Sequence, residues 1–362
     1  VSSPDASLPL DPARFAREID GKPVGLFTLR NRQGMTVCVT NYGAKIEQVL
    51  VPDRGGRFDD VVLGYDSIEG VVGGAPSVGA FVGRYAGRIE NARFVLGGME
   101  HQLAANNGPH CLHGGLRGSR FQVFDAVQDD DAGVEMRYVF AAGEEGFPGA
   151  LALRLVYSVT EANELAIDYE AVALDAPTVA NFTTHAFFNL EGARSESALG
   201  HEVMIRADRY FEMTSELIAT GKLLPVDGTP FDFRKPAALD TRVGKPQAAS
   251  GVAGYDDCFA IERGTAKAGE LALCARVAAP ASGRVMEVWS TEPTMQFYTG
   301  MVAGEPLAGG LGKDGRRYVQ QQSLCFEPQG YPNAPNIPAF PSAVHTPGQG
   351  RKGRTLYRFS AS

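Results

Sequence analysis

The chain has 362 residues, 44% of them hydrophobic and 21% charged, a globular composition with enough apolar mass for a core that needs no disulfide or metal staple. Its 34 basic against 42 acidic side chains leave a formal charge of −8, which argues against a nucleic-acid binder that works by counterion release and against a polybasic membrane surface. Uncharged apolar runs fall short of the roughly 18 residues that a bilayer span requires, and five cysteines without a CxxC pair argue against a disulfide framework or a structural zinc site.

Residues up to about Leu10 are rich in Ser, Pro and Asp and read as a loose lead-in. No linker or repeat interrupts the chain after them, so residues 1–362 read as a single domain. Phe94-Val95-Leu96 and Met99 to Leu103 flank Gly97-Gly98, the pattern of a tight β-hairpin. Val134, Met136, Tyr138 and Phe140 share one face of an alternating run, with Glu135 and Arg137 on the other. Leu151, Leu153, Leu155, Tyr157 and Val159 alternate against Arg154, Ser158 and Thr160. Leu165, Ile167, Tyr169 and Ala171 alternate against Asp168 and Glu170, and the residues from Thr160 to Glu164 between these runs read as a hairpin loop. With no long helical stripe, and with 43 Gly and 22 Pro to supply turns, the pattern predicts an all-β protein. The expected form is many short antiparallel strands in two or more packed sheets, a large antiparallel β-sandwich with few short helices.

Some motifs are set aside on context. Gly310-Leu311-Gly312-Lys313-Asp314-Gly315 has the spacing GxGxxG but no strand-to-helix setting, so a flexible surface loop is expected there. Asn181-Phe182-Thr183 is a formal glycosylation sequon inside an apolar-aromatic run that should be buried. His110-Cys111-Leu112-His113 lies between Pro109 and Gly114-Gly115, where a helix is disfavoured, so its histidines are not read as a metal pair. No metal site is expected.

The residues with chemical potential are few. His185 lies among Phe182, Phe187 and Phe188, as a satisfied core ring or as an acid–base group in an apolar wall. Glu327 follows the apolar run Ser323-Leu324-Cys325-Phe326, where a carboxylate should be paired, hydrogen-bonded or raised in pKa, unless it turns to solvent. Asp256 and Asp257 should face opposite sides of a strand, so at most one serves a shared site. Arg88 follows Gly87, and His113 precedes two glycines that permit close backbone approach. An imidazole, carboxylates, a guanidinium, polar loops and aromatics without a nucleotide loop suit a neutral polyol such as a sugar.

Taken in order, certain segments form a recognisable series. They are Thr40-Asn41-Tyr42-Gly43-Ala44, Val51-Pro52-Asp53-Arg54-Gly55-Gly56, Val62-Leu63-Gly64-Tyr65-Asp66 and Gly83-Arg84-Tyr85-Ala86-Gly87-Arg88-Ile89. Asn106-Asn107-Gly108-Pro109-His110-Cys111-Leu112-His113-Gly114-Gly115 comes next, then Thr184-His185-Ala186-Phe187-Phe188-Asn189-Leu190. Gly254-Tyr255-Asp256-Asp257, Gln296-Phe297-Tyr298-Thr299-Gly300, Phe326-Glu327-Pro328-Gln329 and Pro332-Asn333-Ala334-Pro335-Asn336 complete it. The series resembles the aldose 1-epimerase (galactose mutarotase) family from about residue 20 to the C-terminus. The resemblance implies that family's sandwich, with a free aldose such as galactose or glucose in an open cleft. His185 resembles the general acid and Glu327 the general base. Arg88, His113, Asp256 and Gln296 match sugar-holding positions. Gly87 and His110 depart from the Asn that many members carry. The implied reaction opens the ring by taking the C1 hydroxyl proton and protonating the ring oxygen, then recloses it on the other face. It needs no cofactor, nucleic acid or membrane.

A monomer or homodimer is expected. A cytoplasmic location is the simpler expectation, with a periplasmic or secreted form as the alternative because the chain begins with Val1 and not Met. Competing readings are a non-catalytic sugar-binding module and an epimerase of hexose 6-phosphates. The latter would need a basic cluster such as Arg316-Arg317 near the cleft. A polysaccharide hydrolase or lyase is a further alternative.

Overall fold

The period-two runs pair into antiparallel sheets in the computed structural model, which describes residues 8–242, 254–300 and 311–362. Residues 1–7 of the expected lead-in lie outside the described residues. Among the described residues, the largest sheet has nine strands. Their spatial order is Asp125–Asp130, Gly133–Phe140, Leu151–Val159, Glu164–Ala173, Gly350–Ala361, Arg284–Ser290, Ala272–Ala278, Glu202–Ile205 and Ala237–Ala238. The C-terminal strand Gly350–Ala361 sits between Glu164–Ala173 and Arg284–Ser290, so the end of the chain is held mid-sheet.

A four-stranded sheet runs Leu26–Arg30, Thr36–Thr40, Lys45–Pro52 and Phe58–Asp60. A five-stranded sheet runs Ala219–Pro225, Arg209–Met213, Asp256–Ala260, Thr294–Tyr298 and Cys325–Gln329. Both share one apolar core with the large sheet. Val37, Ile46 and Val49 of the first and Phe259, Phe297 and Phe326 of the second join Met136, Leu153, Leu155, Ile167 and Tyr357. Two tyrosine hydroxyls cross between layers: Tyr157 donates to Ala44 O at 2.7 Å and Tyr357 to Phe326 O at 2.8 Å. Each gives a buried hydroxyl its acceptor, which avoids a desolvation cost of about 1–3 kcal/mol.

The alternation holds at residue level. Leu151, Leu153, Leu155, Tyr157 and Val159 are buried on one face of their strand, and Arg154 is exposed on the other. The glycine hairpin forms as expected between Arg93–Leu96 and Met99–Gln102. Gly97 and Gly98 take φ of +60° and +80°, the doubly left-handed turn that matches the twist of a two-residue hairpin. The α-helix Ile68–Gly73 spans under two turns, capped by Ser67 Oγ accepting from the Gly70 N–H. No helix among the described residues is long and apolar enough to cross a membrane. All five cysteines are buried and free, and Asn181 of the sequon is buried as expected.

The glycine-rich segment differs from the flexible surface loop expected for it. Gly310 lies outside the described residues, but Lys313 is buried. Its Nζ donates to Asp60 Oδ2 at 2.5 Å, Glu47 O at 2.7 Å and Val62 O at 2.8 Å. A buried ammonium must spend its donors on acceptors, and these bonds pin the turn to the four-stranded sheet.

Candidate active site

Three neighbouring strands of the five-stranded sheet build the floor of the site. The register sets Asp256 opposite Tyr298, Gln296 opposite Glu327, and Tyr298 opposite Cys325. Residues directly opposite share a face, and so do residues two apart. Asp256, Gln296, Tyr298, Cys325 and Glu327 therefore leave the sheet on one side. Asp257, Phe297 and Phe326 leave on the other, where both rings enter the main core. The adjacent aspartates divide as the alternation requires: Asp256 lines the cavity above this floor and Asp257 does not.

His185 comes from the extended segment after Thr183–Thr184. Its backbone is tied on both sides, the N–H donating to Ala80 O at 2.8 Å and the carbonyl accepting from the Gly79 N–H at 3.0 Å. Phe182 and Phe188 turn into the main core, while Phe187 stacks on the imidazole with ring centroids 4.9 Å apart. Tyr298 and His113 meet the same ring edge-on. So held, His185 Nε2 lies 3.6 Å from Glu327 Oε1. Both side chains are buried, at 8% and 3% exposed.

Arg88 and His113 are brought together by two short paired strands, Arg88–Ile89 and Cys111–Leu112. His113, Gly114 and Gly115 then take φ of +54°, +82° and +98° in succession. A Cβ on Gly114 would stand 2.2 Å from Gly83 O, so only glycine permits this approach. His113 Nδ1 accepts from the Gly87 N–H at 3.2 Å, which leaves the ring proton on Nε2 as a donor for a ligand. Arg88 Nε donates to Asn107 Oδ1 at 2.9 Å, and Gln296 Nε2 donates to Asp256 Oδ1 at 2.6 Å.

Charge is costly here. Burial, then the negative charge of Asp256, pushes the Glu327 carboxyl well above its ordinary range. Burial, then the Arg120 guanidinium, pushes His185 down to about 3. His113 is lowered for the same two reasons, with the His185 and Arg88 charges adding to them. Asp256 is raised by burial, against the pull of Arg88 and Gln296. Neutral His185 beside protonated Glu327 contains as many protons as imidazolium beside carboxylate. Burial favours the neutral arrangement, because it penalises two separated charges more than their attraction returns.

The sequence-expected residues Arg88, His113, His185, Asp256, Gln296 and Glu327 all line one cavity of about 250 Å³. That is smaller than the roughly 300–1,000 Å³ of pockets for drug-sized molecules and suits a monosaccharide. Gly87 lines it too, at φ +78° with open space where a Cβ would go. His110 does not line it: its Nδ1 accepts from the Asn91 N–H, and its Nε2 lies 3.6 Å from Glu216 Oε2. Arg316 and Arg317 are exposed and away from the cavity lining, so the basic cluster that a phosphosugar site would require is not formed by them.

Tyr298 and Gln329 also line the cavity, and each was legible as the residue two beyond a chosen one, Gln296 and Glu327. Arg120 carried no such signal. Its guanidinium is buried, donating to Ser77 Oγ at 2.9 Å and Gly115 O at 3.4 Å, and so ties two walls of the cavity together.

Comparison with known proteins bears on this geometry. A family model described as aldose 1-epimerase matches residues 25–358. The chain is similar to the galactose mutarotase of Mus musculus, 39% identical over 346 residues that make up 94% of this chain and 96% of that protein. It is 32% identical to the aldose 1-epimerase of Escherichia coli K12, over 94% of this chain and 97% of the other. A solved structure of an aldose epimerase homologue from C. elegans superposes with a TM-score of 0.85 at 29% identity, covering 93% of this chain and 99% of that one.

Proposed function

The chain belongs to the aldose 1-epimerase family, and on that footing we propose that it interconverts α and β anomers of free aldoses such as galactose and glucose, with Glu327 and His185 as its acid–base pair. The activity itself follows from relatives named for it over most of the chain's length; the residue roles are this reading's own. The observation that carries them is the 3.6 Å approach of a buried imidazole and a buried carboxylate on the cavity floor.

Anomer exchange needs a proton taken from the C1 hydroxyl and a proton given to the ring oxygen. Glu327 takes the first as carboxylate, and His185 gives the second as imidazolium. The C1–O5 bond breaks, a carbonyl forms at C1, and rotation about C1–C2 presents its other face. The groups then act in reverse and the ring closes. Because the pair holds one proton throughout, the reacting form differs from the neutral resting form only by moving that proton from Glu327 to His185. Sugar hydroxyls that donate to Glu327 stabilise the carboxylate and draw the proton across.

Arg88, Asp256, Gln296 and the His113 Nε2–H are fixed donors and acceptors for the remaining hydroxyls. The Gln296–Asp256 bond, the bond from Arg88 to Asn107 and that from the Gly87 N–H to His113 hold them in place before the sugar arrives, so little ordering is left for binding. Polarimetry on freshly dissolved α-D-galactose and α-D-glucose tests the assignment. Wild type should speed the approach to the anomeric equilibrium, and Glu327→Gln and His185→Asn should each abolish most of that acceleration. If both variants keep wild-type rates, the chemistry lies elsewhere.

A further inference from the structure

The proposed mechanism leaves Cys325 without a role. It stands two residues before Glu327 on the strand Cys325–Gln329, so both side chains leave the sheet on the same side. Donor atoms of His185, Cys325 and Glu327 all lie within 4.8 Å of one another, and all three residues are buried. Zinc bonds to nitrogen, oxygen and sulfur measure about 2.0–2.3 Å, which sets tetrahedral donor atoms about 3.3–3.7 Å apart. The 3.6 Å between His185 Nε2 and Glu327 Oε1 already meets that spacing. The remaining edges close with side-chain movement of about 1 Å.

The donor set is one sulfur, one imidazole nitrogen and one carboxylate oxygen, a combination that selects zinc-like ions over Mg²⁺ or Ca²⁺. Two further features favour a cation. Among the described residues His185 Nδ1 is buried with no hydrogen-bond partner, so the ring has no bond to them there that a reorientation would break. Glu327 also feels the negative charge of the half-buried Asp256, and a positive ion between the thiol and Glu327 relieves that repulsion.

We propose that His185, Cys325 and Glu327 form an inhibitory binding site for Zn²⁺ or a similar thiophilic divalent cation, reached through the sugar cavity. Binding sends two protons to solvent, one from the Cys325 thiol and one from the His185–Glu327 pair. Thiolate and carboxylate then balance the two charges of the ion, and the imidazole binds neutral. Three protein ligands leave a fourth position for water. The ion excludes turnover because it occupies both groups that open the ring. That consequence rests on the proposed function; the binding itself does not.

The test titrates zinc chloride and cobalt chloride into the full chain, wild type and Cys325→Ser. One ion should bind per wild-type chain. Cobalt should give a near-ultraviolet thiolate-to-metal charge-transfer band. Zinc should slow mutarotation in competition with galactose, and a chelator should restore it. Cys325→Ser keeps both proposed acid–base groups. It should lose the band and weaken zinc inhibition by more than about tenfold. Equal zinc sensitivity in Cys325→Ser, or a wild-type cobalt spectrum without the thiolate band, overturns the proposal. If the serine variant fails to fold, Cys325→Ala makes the same comparison and the wild-type cobalt spectrum decides alone. A wild type that shows the band but no mutarotation keeps the metal site and sinks the proposed function.

Discussion

In the proposed reaction one proton passes between Glu327 and His185, and turnover depends on which of them carries it. Each positioned acid or base typically contributes about 10²–10⁴-fold, so Glu327→Gln and His185→Asn should each lower kcat by that factor in a polarimetric assay. The double variant should lose less than the product of the two, because groups that act on one bond fail together. Gln296 plays a different part. Its amide fixes Asp256 through a 2.6 Å bond, and the proposed reaction gives it no proton to move. Gln296→Ala should raise KM about tenfold and leave kcat within a few-fold, the signature of lost uniform binding. A kcat collapse with unchanged KM would place Gln296 in the chemistry instead.

Among the elements, the turn that presents His113 is tightly constrained. Gly114 combines φ +82° with a backbone oxygen 2.2 Å from where a Cβ would stand. A left-handed conformation costs an L-residue about 1–2 kcal/mol before any clash. Gly114→Ala should therefore lower the unfolding free energy by about 2 kcal/mol or more, and should raise KM by displacing His113. The hairpin at Gly97-Gly98 is the control. A Cβ on either glycine meets nothing within 4 Å, and asparagine tolerates the conformation. Gly97→Asn should change stability by no more than about 0.5 kcal/mol. Denaturant unfolding of the two variants separates strain from simple loss of glycine; equal destabilisation would remove the distinction.

At the scale of the whole molecule, buried ionisable groups set opposing pH dependences. His201 accepts the Leu190 N–H on Nε2 at 2.9 Å and lies 2.8 Å from Ala198 O through Nδ1. Burial lowers it from 6.5 to about 4. Between those values the unfolded chain binds the proton that the folded one refuses, so this residue makes stability fall on acidification. Asp257 is the reverse case, raised from 3.8 to about 8 by burial and then by Asp256. There the folded state keeps a proton the unfolded state has lost, and stability falls as pH rises toward 8. Thermal unfolding of His201→Gln should flatten the acid limb between pH 6.5 and 4, and Asp257→Asn the limb above pH 6.5. Curves parallel to wild type would refute the assignment of those limbs.

The strands of the large sheet were legible because one face is buried and one is wet, which writes a period of two into Leu151–Val159 and Glu164–Ala173. The hairpin at Gly97-Gly98 was legible because its turn demands glycine. The pairing of His185 with Glu327, and of Arg88 with His113, was not readable from spacing. Those residues stand far apart in the chain, and only the ordered resemblance to a family placed them together. Two outcomes contradicted or escaped a local reading. Lys313 became an anchor because its ammonium found acceptors on a distant sheet, and Arg120 became a brace between cavity walls. Strand periodicity, turn positions and the kinds of groups available are written along the chain itself. Tertiary packing sets which of those groups meet and, through their shared burial, which of them holds the proton, because desolvation depends on everything packed around a site and not on its neighbours in the chain.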